Sequence, residues 1–135
     1  MVVPVKGREK DAEDVGKFIE GLGGKVEFMS VEEHDRIVGF VIGVPYLLGI
    51  AYLKLSLENN LERFGGTSFR FLTIYGKAVL NDGPRFIEEV IRRSREEIAE
   101  FLKSIDSVNV HELSKKVSRE EIERAYEKFY KILDP

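Results

Sequence analysis

A chain of 135 residues has room for one domain, or for one domain and a fragment of another. Its 24 acidic and 21 basic residues leave a net charge of −3 beside 43% hydrophobic content, which describes a soluble globular protein lacking the basic excess that nucleic acid binding needs. With no cysteine there is no disulfide framework, thiol nucleophile or thiolate metal site, and the lack of glutamine beside abundant Glu and Lys resembles hyperthermophile composition.

The N-terminal run Val2, Val3 and Val5 suits a short buried strand and is followed at once by Lys6, Arg8 and Lys10, unlike a signal peptide, so a cytoplasmic location is expected. Apolar Val15, Phe18, Ile19 and Leu22 fall at helical spacing from about Glu9 to Leu22, with acidic residues near the amino end where the helix dipole favours them. Gly23 and Gly24 stop this helix. Lys25 to Met29 then alternates as a second strand, which makes residues 1–30 a strand-helix-strand piece of the size of a βαβ crossover. Two strands do not form a stable sheet, so this piece reads as the tail of a larger sheet or the completion of another chain's.

Ser30 followed by Glu33 is a capping box that opens a helix near Val31. Beyond it, Ile37–Leu53 carries no formal charge, and a helix apolar all round must be buried on every side, in lipid or in protein. Pro45 within the run, the small residues Gly39, Gly43 and Gly49, and the charged helices on both sides favour a protein core over a membrane span. The expectation is a central buried helix kinked at Pro45 and covered by other helices, with a second copy needed to complete the cover. Gly65 and Gly66 end a polar stretch, and Thr67 caps a further helix from Ser68 to about Asn81 whose apolar residues are again broad enough for burial on more than one side. After the break at Asn81, Asp82 and Gly83, Pro84 begins a helix carrying one apolar stripe from Phe86 to Ile105. The pattern lapses over Val108–Val117, and Ser118 with Glu121 is a second capping box before a final amphipathic helix through Ile122, Ala125, Tyr126, Phe129, Ile132 and Leu133. The fold class expected is mainly α, with residues 1–30 as a strand-helix-strand piece and residues 31–135 as an all-helical domain.

Catalytic constellations are scarce: there are two histidines, and no Gly-rich loop follows a strand. The run Gly21–Gly24 lies after a helix and before a strand, the wrong order for cradling a pyrophosphate, and reads as a helix stop. One motif is more specific. Ser30–Tyr46, SVEEHDRIVGFVIGVPY, resembles the junction in prephenate dehydrogenases where the nucleotide-binding domain meets the helical domain, and Phe64–Ile91 resembles that family's Gly-Gly turn, buried helix, Asn/Asp break and next helix. The similarity spans about Val2 to Ile105.

The resemblance implies that residues 1–30 are the terminal βαβ piece of a nucleotide-binding domain and residues 31–135 a dimerisation and substrate-binding domain. It also implies a homodimer through the central helices, a dicarboxylate substrate of the prephenate type, and NAD or NADP in the complete enzyme. No cofactor is expected on this chain, because the family's Gly-rich turn and catalytic histidine both precede the region matched. Many members have histidine where this chain has Tyr46, and arginine in the helix after the Gly-Gly turn, where Arg70 is the candidate here. The substrate-binding candidates are thus Arg70, His34 and Tyr46, a guanidinium being well suited to a carboxylate. The competing readings are an exposed helical arginine, a first-turn histidine at a junction, and a core tyrosine with a satisfied hydroxyl. An alternative function from another class is a free-standing dimeric binding or regulatory protein derived from the helical domain.

Overall fold

Ser30 and Glu33 start the element from which the others hang. In the computed structural model, which describes residues 1–133 and their side chains as far as Lys131, Ser30 Oγ accepts the Glu33 N–H at 3.1 Å and the Glu33 carboxylate accepts the Ser30 N–H at 2.8 Å. One helix then runs over Val31–Glu58. It has three parts: α2 (Val31–Val38), a π turn at Gly39–Gly43, and α3 (Val44–Glu58). The kink expected at Pro45 therefore takes the form of a π turn just before it. Proline has no N–H for the carbonyl four residues back and its ring crowds that carbonyl. Widening the preceding turn, so that the Val44 N–H bonds the Gly39 carbonyl, relieves the crowding between two glycines.

Those glycines also admit a neighbour. A Cβ on Gly43 would stand 2.0 Å from Ser94 Oγ, and one on Gly39 would stand 2.6 Å from the Glu97 carboxylate. Both glycines thus meet residues of their own chain. Ser94 sits where the single helix expected over Pro84–Ile105 divides into α5 (Pro84–Arg93) and α6 (Arg95–Ile105). Its hydroxyl donates to the Val90 carbonyl at 2.8 Å, the back-bonding that bends helices, and the bend seats the joint on the π turn. Pro84 opens α5 as expected, after Gly83 at φ 87°, a conformation glycine adopts without strain.

Helix α4 (Thr67–Val79) runs back along α3, with Thr67 inside the helix and Gly66, not Thr67, at the cap position. The two cross where Gly49 meets Gly76; a Cβ on Gly76 would stand 2.4 Å from the Gly49 carbonyl oxygen. Towards one end Tyr52 packs edge-on against Phe69, ring centroids 5.5 Å apart.

The N-terminal strands do not form. Helix α1 (Glu9–Gly21) is present, and Gly16 leaves room for the Phe28 ring to lie on it, but the flanking segments share only one parallel bridge, Val2 to Phe28. Pro4 removes a ladder donor from the first segment, and two short segments without a third lack the area to sustain a sheet. The C-terminal region holds α7 (Val110–Lys116) and α8 (Arg119–Leu133). Asn109 Oδ1 caps α7 by accepting the Glu112 N–H at 3.2 Å, so a helix occupies the stretch where the apolar pattern lapsed. The Ser118–Glu121 box forms at the start of α8. Ile132 and Leu133, expected on the apolar stripe of α8, have side chains outside the described residues.

The hydrophobic core is small: Val44, Leu53, Val79 and Ile87 are the buried large apolar residues among those described. The central helix, expected to be buried all round, is covered by α4, α5 and α6 on one side only, leaving Val41, Leu48 and Leu55 at 59%, 44% and 51% exposure. By length and composition the same helix could cross a membrane.

Candidate functional site

Polar side chains gather at two places along the central layer, and Arg70 stands alone at a third. At its entry, on α2, His34 Nδ1 lies 3.0 Å from Asp35 Oδ1, and Arg36 reaches α6 to donate to both Glu100 oxygens at 2.9 and 3.3 Å. The Arg36 guanidinium also lies over the Phe40 ring, 5.0 Å from its centroid. Asp35 and Val38 line a shallow cleft with Val90, Arg93 and Ser94. Its position follows from the joint between α5 and α6, which holds those last three residues against the start of the long helix.

At the second place, where α3 begins and α4 ends, the Tyr46 hydroxyl donates to Asp82 in the turn before α5. That bond to a carboxylate holds the phenol above its ordinary ionisation range, with burial and the negative charge acting the same way. The Tyr75 hydroxyl is likewise pushed up, first by burial and then by Asp82. Asp82 is the partner of Tyr46 that sequence reasoning missed. In the sequence it is one residue of an Asn-Asp-Gly break, and no local signal ties it to a tyrosine thirty-six positions earlier.

Arg70 occupies the third place, exposed on the first turns of α4. Its backbone carbonyl accepts the Thr73 hydroxyl at 3.0 Å, and among the described residues its guanidinium joins none of the ion pairs. The three substrate-binding candidates are not brought together within one chain. At 1.5 Å per residue, Tyr46 and Arg70 lie on opposite sides of the Gly49–Gly76 crossing, about 13 Å apart along the helix axes, and His34 is about 18 Å from Tyr46.

The glycine-rich run has a clear geometry. The N–H groups of Leu22, Gly23 and Gly24 turn back to the carbonyls of Phe18, Ile19 and Glu20, with Gly23 at φ 83°, so the run closes α1 at its carboxyl end. The partial charge there is negative, which is wrong for a pyrophosphate. These residues do not fit a dinucleotide. No protein-family model, curated protein or solved structure matches the chain.

Proposed function

We propose that this chain is the C-terminal part of an NAD(P)-dependent prephenate dehydrogenase, the enzyme that decarboxylates prephenate oxidatively to 4-hydroxyphenylpyruvate on the way to tyrosine. Its part is the dimer interface and one wall of the substrate cleft, in a cytoplasmic assembly. The observation that carries the reading is the capped Glu-His-Asp-Arg start of the long apolar helix, followed at the family's distance by the Gly-Gly turn and a helix that returns along it. Alone, the chain is chemically incomplete: it neither holds the nucleotide nor carries the catalytic histidine. The apolar surface left open on the central helix and on α4, where Ile74 is 55% exposed, supports assembly as a homodimer.

Within this reading the chain's own groups bind and orient the substrate. Arg70 offers a carboxylate a guanidinium that joins no ion pair among the described residues. Tyr46, its hydroxyl fixed on Asp82, offers an oriented ring at the other end of α4. Because these groups lie apart in one chain, a cleft using both draws on two copies, each supplying one end of the α3–α4 layer.

The test is to join a nucleotide-binding domain upstream of Val2 and follow prephenate-dependent reduction of NAD(P). Activity is expected in the joined protein and none in the chain alone. Arg70→Ala should weaken apparent prephenate affinity about tenfold, the worth of one charge-assisted contact, without changing cofactor affinity. A folded, NAD(P)-binding fusion that ignores prephenate overturns the enzyme reading and leaves the dimeric binding protein as the better one. Reduction of NAD by the isolated chain, with host enzyme excluded, overturns its incompleteness.

A further inference from the structure

The chain exposes far more surface than its mass requires. A compact monomer of 15.5 kDa shows about 7,200 Å², whereas this one shows 10,944 Å². The excess, about 3,700 Å², is larger than the roughly 1,000–2,500 Å² that each subunit of an obligate homodimer buries. Beyond Ile105, where the family resemblance ends, every residue from Asp106 to Lys131 except Phe129 is exposed. There α7 and α8 carry an apolar stripe that their own chain leaves open: Val110, Leu113, Ile122 and Tyr126 are between 49% and 70% exposed. A ring pair, Phe71 with Phe129 at 5.2 Å, ties α8 to α4. The segment is nonetheless well made as helix, since both members are capped and α8 carries the i,i+4 ion pair Arg119–Glu123. Two capped helices whose apolar stripe touches their own chain at Phe129 and is otherwise open are built to lie on something.

We propose that residues 108–133 form an arm that closes over a second copy of the chain, laying the stripe of α7 and α8 on the partner's open α3 surface at Leu48 and Leu55. The inference rests on the homodimer of the preceding section and names what that section leaves unassigned, the C-terminal helices. A second copy is the occupant because the deficit is reciprocal. Each chain has both an uncovered apolar arm and an uncovered apolar helix face, so one two-fold operation covers both twice. The tie at Phe129 places α8 beside α4, where an arm can leave its own layer and continue onto the next.

Since the chain has no cysteine, crosslinking can read this directly. Two differently tagged variants, Ile122→Cys and Leu48→Cys, are co-expressed and treated with a short bis-maleimide. The expected product is a covalent dimer carrying both tags. By light scattering, Ile122→Glu/Tyr126→Glu should raise the dimer dissociation constant at least a hundredfold with helix content retained, while Lys128→Glu on the polar face of α8 should leave it within twofold. A wild-type dimer that gives no mixed-tag product, or an arm variant that dimerises normally, overturns the arm and leaves the dimer standing. A wild-type monomer, or one that sediments with phosphatidylcholine vesicles, overturns the arm and the dimer together, and neither result touches the prephenate assay of the fusion.

Discussion

Replacing Gly43 by alanine tests whether the π turn is seated on Ser94. In an exposed helix the change would stabilise by about 1 kcal/mol, since glycine costs that much in a helix interior. Here the new Cβ would lie 2.0 Å from Ser94 Oγ and 2.3 Å from Ser94 Cβ, far inside contact distance. Ser94 cannot swing clear, because its hydroxyl is bonded to the Val90 carbonyl and the residue is 4% exposed. The joint between α5 and α6 must therefore move by more than 1 Å, a case of overpacking that typically costs 1–3 kcal/mol and sometimes more. For so close a contact the upper end of that range, about 3 kcal/mol, applies, and set against the propensity gain it leaves an expected net loss of about 2 kcal/mol. With a urea m-value of roughly 2 kcal/mol per molar, the midpoint should fall by about 1 M at fixed protein concentration. Gly21→Ala, where nothing lies within 4 Å of the added carbon, serves as the control and should be neutral or slightly stabilising. Ser94→Gly should rescue Gly43→Ala, and Ser94→Ala should not, because it keeps the offending Cβ. A Gly43→Ala protein as stable as wild type would refute the contact and the account of the bend.

Ser56 is fully buried on α3 and its hydroxyl has no partner among the described residues, so Ser56→Ala should be neutral or should stabilise by up to about 1–3 kcal/mol, and a loss in urea melts would show that the hydroxyl has a partner. Ser30→Ala removes the accepting half of the capping box and should cost about 1 kcal/mol, read as a lower thermal midpoint, with Ser30→Asp largely neutral. The Tyr46 phenol keeps its proton longer in the folded chain than in the unfolded one. Its stabilising contribution is therefore complete below the ordinary phenol value of about 10 and is lost as pH rises through the higher folded value. Asp82→Asn should lower the Tyr46 midpoint in an ultraviolet titration, and an unchanged midpoint would remove Asp82 from the account.

Local signals were legible in the sequence because they act over three or four residues. Both capping boxes, the proline start of α5 and the glycine stop of α1 depend on neighbours along the chain, and each forms. The strand expectation failed on a residue that was in plain view: Pro4 sits inside the valine run and cannot donate to a ladder. Helix α7 was missed although Asn109 precedes Glu112 at capping distance and Val110, Leu113 and Val117 follow helical spacing; the segment was too short for the pattern to stand out. The bend at Ser94 was not legible at all, since a serine in a helix bends it only when something rewards the bend, and that something is Gly43, fifty-one positions earlier. Of the candidate site, the residue types were readable and their grouping was not. His34 and Asp35 are neighbours by sequence, whereas the pairing of Tyr46 with Asp82 depends on how α3 and α4 cross.

The π turn has a consequence for how the long helix can be altered. One residue more in a turn rotates everything downstream by about 100° relative to an unbroken α-helix. The rotation sets Gly39 and Gly43 toward Ser94 and Glu97 while Gly49, Leu53 and Ser56 face inward. Deleting one residue between Phe40 and Ile42 would thus produce a more regular helix and a worse protein. Apart from the donor that Pro45 lacks, its hydrogen-bond ladder would be unbroken, but Gly49 would no longer meet Gly76 whenever Gly43 met Ser94. Circular dichroism should show helix content preserved or raised while cooperative unfolding is lost, the behaviour of a segment whose irregularity is the gearing between two layers.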